Sequence, residues 1–452
     1  MKILVTAKAL DLDRTSEGIC TTKFLYSLLN AGMEVICLAP SAAITPGKLR
    51  LHGSWINEIN IVPIDGRKQV DTSARSNPHP KSEQSNGSPG LAERKSGVLV
   101  AYCTGFSPKI WSEVRLWKKA IQCMFDKHRP DLVFVRAAGD GFEPHLAMAG
   151  LTSPVPWIAN YHDPFPISKY PEPYRRRFFL MSLLQEKWNA RIMRAASAVS
   201  FPSDRLLRWM LRDDLGRLRE KGVIIPHIAG EVPLSQQEPR SPELATYHNR
   251  FTLIHAGTLL GPRQPWGLVD AFRRFVAKEP ARAKVAELVF VGKVNRCHKS
   301  DPRWLEMTQS PGIRVVENRV SYAESLDLLS KASVAVVLEA EAAESPFFPA
   351  KLMDYMLQGK PILALSPVKS VVSDILGATY PYRALPSETK RIEEFIESLW
   401  TLWQKGDLAQ AATPRQLAGQ FSVEAVGESC KTIFARCLDV RERFSKRQLP
   451  PQ

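Results

Sequence analysis

The 452-residue chain has few cysteines and no long hydrophobic run. Its seven cysteines are scattered without a Cys-x-x-Cys pair, which argues against a disulfide framework or a zinc site and favours a reducing cytoplasm. No stretch approaches the roughly 18 apolar residues that cross a bilayer, and residues 1–6 indicate a strand rather than a signal peptide. Acidic residues are the scarcer charge, since 46 Asp and Glu face 61 Lys and Arg. An apolar fraction of 44% nevertheless predicts a globular protein with full cores.

The most informative run lies in the C-terminal half. Val334–Leu338 is continuously apolar, which is typical of a parallel strand covered on both faces. An acidic loop follows, and Pro349 suits the first position of a helix because its fixed φ fits there and its missing N–H costs nothing. Gly359–Pro361 ends that helix. The sequence therefore predicts a helix over 350–358 and a second buried strand at 362–365.

This order of strand and helix predicts an anion-binding site. A helix that starts at the carboxyl end of a parallel sheet presents free N–H groups and a positive dipole end, which suit a diphosphate. Lys351 adds a positive charge, and Asp354 lies on the same helix face, where it could accept hydrogen bonds from two ribose hydroxyls. An ordinary βαβ unit with a solvated lysine and aspartate has the same spacing, so both interpretations stay open.

The same run resembles a known enzyme family. Asp354-Tyr-Met-Leu-Gln-Gly359-Lys-Pro361 aligns without a gap to the helix and Gly-x-Pro turn of retaining glycosyltransferases of the GT-B fold, the glycosyltransferases group 1 or family-four class. Some members carry a Pro-x-Lys-Leu loop, as in Pro349-Ala-Lys351-Leu352 here, and the resemblance implies that the last two of these residues contact the nucleotide-sugar donor. In the family a second glutamate lies eight residues before the helical acid. Pro346 occupies that position in this chain, and Glu344 is the nearest candidate.

The N-terminal half is consistent with the same family. Gly18 is expected in the loop after the first strand, where the family's backbone approaches the donor phosphates or the acceptor, and a helix is predicted over 19–30. Val155–Asn160 indicates another strand, and a His-Asp pair follows it closely. Family members carry a histidine there, beside the donor sugar. The resemblance therefore implies that His162 is catalytic and that Asp163 orients it or contacts the acceptor; by itself, such a pair is more often a loop feature without chemistry.

A second domain is predicted after a polar linker. The strand Phe251–Ala256 leads into Gly257, which allows close backbone approach to a ligand. Arg263 follows, and its guanidinium fork could bond two oxygens of the leaving diphosphate, although an exposed arginine that opens a helix is the alternative. Further apolar strands alternate with a helix whose capping box is Ser321-Tyr-Ala-Glu324.

This alternation predicts an α/β protein with two doubly wound, Rossmann-like domains that face a cleft, the GT-B architecture. We expect an N-terminal acceptor domain over 1–235 with a mobile insert at 66–97. A linker at 236–250 then leads to a nucleotide-sugar-binding domain over 251–420. Residues 421–452 are expected to form a helix that crosses back to the first domain, and a tail.

The resemblance implies transfer of a sugar from a nucleoside diphosphate sugar to a glycan or lipid-linked acceptor, with retention of anomeric configuration and without a metal or other cofactor. Two alternatives stay open. One is a nucleotide-sugar epimerase of the same architecture. The other is a catalytically silent binding subunit, because the chain lacks the usual glutamate, one cation and one glycine of the family.

The net charge of +15 has three explanations: an anionic membrane, a nucleic acid, or an anionic donor with an anionic acceptor. The sequence contains no nucleic-acid-binding motif, so we expect no nucleic-acid partner. Trp111–Lys119 and Tyr170–Leu184 mix basic, aromatic and apolar residues that could rest on anionic lipid headgroups; alternatively, the apolar residues at 178–184 face the core. We therefore predict a cytoplasmic protein, with peripheral contact to the inner face of the membrane as one interpretation.

Overall fold

The computed structural model contains two α/β domains, each built on one parallel sheet. The structure describes residues 1–10, 12, 15–44, 49, 52–64, 99–136, 141–176, 179–212, 216, 218–234, 250–317 and 320–447. The insert predicted at 66–97 and the linker predicted at 236–250, apart from Arg250, lie outside these residues.

The N-terminal domain has a seven-stranded sheet with helices on both faces. Its strands are β1 (Lys2–Thr6), β2 (Glu34–Pro40), β3 (Asn60–Ile64), β4 (Leu132–Arg136), β5 (Trp157–Asn160), β6 (Ala198–Phe201) and β7 (Gly222–Ile224). Its helices are α1 (Ser16–Asn30), α2 (Pro108–His128), α3 (Glu143–Ala149), α4 (Phe179–Ala195) and α5 (Asp204–Leu211). The strand order is β3-β2-β1-β4-β5-β6-β7, and all pairs are parallel. Because successive side chains of a strand point to opposite faces, Leu4 and Val5 enter two different hydrophobic cores.

The C-terminal domain repeats this plan with six strands. They are β8 (Phe251–Ala256), β9 (Ala286–Val291), β10 (Ile313–Val316), β11 (Val334–Leu338), β12 (Ile362–Leu365) and β13 (Arg383–Ala384). The helices are α6 (Trp266–Lys278), α7 (Arg282–Val285), α8 (Arg296–Lys299), α9 (Pro302–Thr308), α10 (Tyr322–Lys331), α11 (Lys351–Leu357), α12 (Val371–Leu376), α13 (Thr389–Gln404) and α14 (Gln416–Gly419). The parallel strands follow the order β10-β9-β8-β11-β12-β13, with β8 and β11 adjacent at the centre.

The last helix, α15 (Val423–Arg447), packs on the N-terminal domain. A Cβ atom at Gly427 would lie 2.5 Å from the carbonyl oxygen of Ser27 in α1, so only glycine allows this close helix contact. Phe434 enters the same core, with its ring centroid 5.8 Å from that of Phe134 in β4. The chain therefore returns from the C-terminal domain to the first one through α15.

The predicted fold class is confirmed, and so is the capping box of α10, in which Ser321 and Glu324 cap each other's backbone. Two helix starts differ from the prediction. Helix α1 begins at Ser16 rather than at residue 19, because the hydroxyl of Thr15 accepts a hydrogen bond from the N–H of Gly18 at 3.0 Å. Helix α11 begins two residues after Pro349 and has only seven residues. Among the described helices, none is both long and apolar enough to span a bilayer.

Candidate functional site

A cavity of about 530 Å³ opens between the two domains. Loops at the carboxyl ends of β5, β8, β9 and β11 line it, together with the first turns of α1 and α11. This is where ligands bind in doubly wound proteins, because the carboxyl ends of parallel strands leave a crevice.

Lys351 lies inside this cavity, and Gly257 makes room for it. Gly257 has a φ of +150°, and a Cβ atom there would lie 2.5 Å from the Nζ atom of Lys351. His255 in β8 contacts the amine of Lys351. The Nδ1 atom of His255 donates a hydrogen bond to the carbonyl oxygen of Val336 at 3.1 Å. Its Nε2 atom therefore carries a lone pair, and this atom lies 3.4 Å from Nζ of Lys351. Burial and the charge of Arg263 lower the pKa of Lys351 well below its usual value.

Arg263 and Glu339 complete the charged lining beside Lys351. The Nε atom of Arg263 donates to the hydroxyl of Tyr174, in the N-terminal domain, at 3.2 Å. Glu339 follows β11 directly and is 4% exposed. One carboxylate oxygen accepts a hydrogen bond from Ser345 at 2.8 Å, and the other has no partner within the described part of the chain. Burial raises the pKa of Glu339 to about 7, against the opposing effects of Ser345, Arg263 and Lys351.

Asp354 in α11 lines the cavity but is already bonded. Its Oδ1 atom accepts hydrogen bonds from the amine of Lys23 at 2.6 Å and from the hydroxyl of Tyr322 at 2.8 Å. Lys23 belongs to α1, and its amine also donates to the carbonyl oxygen of Ile228 at 3.2 Å. This buried ion pair therefore joins the two domains across the cleft.

The opposite wall carries His162 and Asp163 at the end of β5. Burial, followed by the charge of Arg136, lowers the pKa of His162 to about 3, so the imidazole is neutral at physiological pH. Burial, reinforced by Glu17, raises the pKa of Asp163 to about 7. Among the described residues, no hydrogen bond joins these two side chains. The His162 ring instead lies beside that of His227, with centroids 4.5 Å apart.

Three predicted site residues lie away from the cavity. Gly18 is buried in the first turn of α1 rather than in a loop. Leu352 is fully buried in a core of the C-terminal domain, because it is on the inner face of α11. Glu344 accepts a hydrogen bond from Arg205 of α5 at 2.6 Å, and Arg205 also bonds Asp374 twice at 2.7 Å. Glu344 therefore takes part in a second ion-pair contact between the domains.

The sequence analysis missed several residues of the cavity, among them Cys20, Lys23, Tyr174, His227 and Glu339. For two of these residues the sequence contained a recognisable signal. Glu339 stands at the carboxyl end of the predicted strand, and Lys23 interrupts the apolar face of the first helix. The others had none, since their partners lie far away in sequence.

The chain is similar to known proteins in one segment of its sequence and in its fold. Residues 69–228 match the family model of Glycosyltransferase Family 4. No curated protein matches the chain. In a glycosyltransferase from Rickettsia africae ESF-5 the fold is similar, with a TM-score of 0.58 at 12% identity, over 97% of this chain and 98% of that one.

Two further solved structures share the fold. A sucrose-phosphate synthase from Thermosynechococcus elongatus has a TM-score of 0.61 at 11% identity, over 97% of this chain and 100% of that one. A structure described as trehalose-6-phosphate from E. coli bound with UDP-2-fluoro glucose has a TM-score of 0.56 at 9% identity, over 100% of both chains. The family-model match confirms the resemblance to glycosyltransferases of the family-four class, and the solved structures show that the chain shares the GT-B fold.

Proposed function

We propose that the protein transfers a sugar from a nucleoside diphosphate sugar to a glycan or lipid-linked acceptor, with retention of anomeric configuration and without a catalytic metal. The observation that carries this proposal is the interdomain cavity, where Arg263 and Lys351 stand opposite His162 and Asp163. A cleft with two cations on one wall and neutral or weakly acidic groups on the other suits a substrate that is anionic at one end and neutral at the other. Retention follows from the family resemblance.

The cationic side would hold the diphosphate. Burial of the Lys351 amine, followed by repulsion from Arg263, disfavours its charge. A diphosphate between the two groups would remove this repulsion and return Lys351 to its protonated form. The charge that develops on the leaving phosphate would then be stabilised by two prearranged cations, and the leaving phosphate itself would help to deprotonate the acceptor on the same face.

Asp354 would bind the ribose, as the resemblance implies. Its Oδ1 atom bonds Lys23 and Tyr322, which leaves Oδ2 for a ribose hydroxyl. His162 would position the sugar ring, and Asp163 would contact the acceptor. Gly257 contributes by admitting Lys351 to the cavity, whereas Gly18, Glu344 and Leu352 have no direct part in this mechanism.

The first test is ligand-observed NMR of the purified protein with a panel of UDP-, GDP- and ADP-sugars, followed by product analysis. We expect selective binding of one donor class, release of the nucleoside diphosphate in the presence of acceptor, and a product with the donor's anomeric configuration. Conversion of the sugar without any acceptor would indicate an epimerase instead. Donor binding with no turnover against any acceptor would indicate a silent binding subunit.

We also propose that the protein contacts anionic membranes through one surface of the N-terminal domain. Leu180 and Leu183 of α4 are 47% and 44% exposed, and Leu99 and Tyr102 are 65% and 53% exposed. Residues 99–104 lie next to α4, because Trp188 of α4 donates a hydrogen bond to the carbonyl oxygen of Thr104 at 3.1 Å. Lys187 and Arg191 of the same helix, and Arg176 before it, are also exposed. Apolar groups flanked by cations are typical of contact with anionic headgroups.

Co-sedimentation with vesicles tests this surface. We expect binding to phosphatidylcholine vesicles that contain phosphatidylserine, weaker binding to pure phosphatidylcholine, and loss of binding in Leu180→Ser/Leu183→Ser. Leu305→Ser is a matched control, since Leu305 is 63% exposed on the other domain. Equal binding by both variants would remove this surface from the proposal.

A further inference from the structure

Three potential metal ligands lie close together on the N-terminal side of the cleft. They are Cys20 of α1, His162 after β5 and His227 after β7, and one donor atom of each lies within 4.8 Å of the other two. All three side chains are buried. They line both the main cavity and a small adjoining space of about 10 Å³, which is the size of a single water or ion.

The histidines are ready to act as ligands. His227 is 7% exposed, and its Nε2 atom has no hydrogen-bond partner within the described residues. Each imidazole in its neutral form has one ring nitrogen with a lone pair that a metal ion can bind. An unpartnered buried nitrogen is costly in a folded protein, which calls for a group that would bind it.

Cys20 supplies the charge that a cation needs. Burial raises the pKa of its thiol to about 12, while the charges of Arg136 and Lys23 act in the opposite direction. A metal ion would displace the thiol proton and bind the thiolate. Arg136 also lines the small cavity, and its positive charge opposes a bound cation. The thiolate is therefore the ligand on which binding should depend most.

We propose that Cys20, His162 and His227 form a binding site for a soft divalent transition-metal ion such as Zn²⁺. One thiolate and two neutral imidazoles are a donor set that zinc prefers, with bonds of about 2.3 Å to sulfur and about 2.0 Å to nitrogen. Donor atoms already within 4.8 Å need only small side-chain movements to reach those lengths. The fourth position would face the main cavity, which the same three residues line, and would take water or a substrate oxygen.

A metal ion at this site would inhibit sugar transfer, an inference that rests on the proposed function. His162 is the residue proposed to position the donor sugar, so an ion that takes its lone pair competes with the sugar. The ion is then an inhibitor of transfer rather than a catalyst. Micromolar Zn²⁺ should slow turnover, and a chelator should restore it.

Cobalt provides a readout that needs no activity. The reduced full-length protein is stripped of metal and titrated with Co²⁺ while thiolate-to-cobalt charge-transfer and visible d–d absorption are recorded. We expect one ion per chain and both sets of bands. Cys20→Ser should lose the charge-transfer band, and His227→Ala should abolish stoichiometric binding. Cys297→Ser should bind as the wild type does, since Cys297 is an exposed free thiol on another domain.

Circular dichroism checks that each variant is folded; Cys20→Ala replaces Cys20→Ser, and His227→Gln replaces His227→Ala, if either is not. A spectrum without a thiolate band, or one that Cys20→Ser leaves unchanged, would overturn the site. Zinc inhibition is then compared between the wild type and Cys20→Ser. If cobalt binds as expected but zinc leaves wild-type turnover unchanged, the site is real and the competition for His162 is wrong. If there is no turnover with any donor, the proposed function fails while the cobalt result still decides the site.

Discussion

The two walls of the cleft differ in the kind of polar group that they present. The C-terminal wall includes four acidic or basic side chains around one glycine, namely Arg263, Glu339, Lys351 and Asp354 around Gly257, and burial disfavours the charge of two of them, Lys351 and Glu339. The N-terminal wall includes Glu17, Cys20, Lys23, His162, Asp163 and His227. Lys23 is paired with Asp354, and burial favours the neutral form of Cys20, His162, Asp163 and His227.

From this difference we infer that one wall of the cavity serves donor binding and the other serves the transfer step. The amine of Lys351, whose charge is disfavoured by burial and by Arg263, can gain a proton when an anionic ligand binds beside both groups. Neutral imidazole and carboxyl groups beside the sugar can exchange hydrogen bonds and protons without a large change in solvation. We therefore expect substitutions on the C-terminal wall to act mainly on donor affinity and on departure of the diphosphate. Substitutions on the N-terminal wall should act mainly on the rate of transfer.

The largest effect is expected for Arg263→Ala. Loss of a prearranged cation at the leaving diphosphate should lower kcat/KM by about 100- to 1,000-fold. Steady-state release of the nucleoside diphosphate measures this change, and Arg263→Lys should recover part of it because the charge returns without the fork. Arg274→Ala is the matched control, since Arg274 is exposed on α6. An effect of the same size in both variants would remove Arg263 from the site.

His162→Ala tests the other wall. We expect kcat to fall by about 100-fold, while the dissociation constant of the donor changes by less than about threefold, because the proposed nucleotide contacts lie on the C-terminal wall. Calorimetric donor titration and turnover assays separate the two quantities. A variant that loses donor affinity but keeps kcat would reverse the assignment of the two walls.

Asp354→Ala should weaken donor binding by about 10- to 100-fold, because hydrogen bonds between a carboxylate and the ribose are lost. Lys23→Met is the informative companion, since it removes the cation from Oδ1 but leaves the carboxylate in place. If Asp354 binds the ribose, NMR titration should show a larger loss in Asp354→Ala than in Lys23→Met. Equal losses would instead mean that the ion pair serves only to hold the domains together.

The smallest effect concerns stability and pH. The pKa of Glu339 is raised from 4.5 to about 7, so the folded protein keeps a proton that the unfolded chain loses between these pH values. This carboxyl therefore reduces stability as the pH rises from 4.5 through 7, by roughly 1 to 3 kcal/mol. Glu339→Gln cannot ionise, so its melting temperature relative to the wild type should increase from pH 5 to pH 8. A constant difference over this range would contradict the prediction.

Much of each domain could be predicted locally. Continuous apolar runs such as Val334–Leu338 identify buried parallel strands, and the capping box at Ser321 identifies a helix start. Helix ends were less accurate. Thr15 caps α1 earlier than the glycine pattern suggested, and α11 is shorter than its proline implied. The first error arises because the side-chain hydrogen bond of Thr15 decides where α1 begins, whereas no side-chain hydrogen bond caps the start of α11.

Some residues of the candidate site could also be predicted from local motifs, whereas others could not. The placement of Gly257, Arg263, Lys351 and Asp354 followed from motifs in which all the interacting residues lie within a few positions of a strand end. Glu339 was overlooked in favour of Glu344, because the sequence places both in one acidic loop. Only the packed structure shows that Glu339 faces inward beside Ser345 while Glu344 turns outward to Arg205.

The sequence by itself determined the two doubly wound domains and placed Arg263 and Lys351 on one side of the cleft, since strand, turn and capping patterns act over a few residues. The tertiary structure alone decided what crosses the cleft. The Lys23–Asp354 pair spans 331 positions, and Cys20, His162 and His227 come from three separate elements. Contacts of this kind depend on how helices pack and how the domains meet, and no local pattern of residues encodes that geometry.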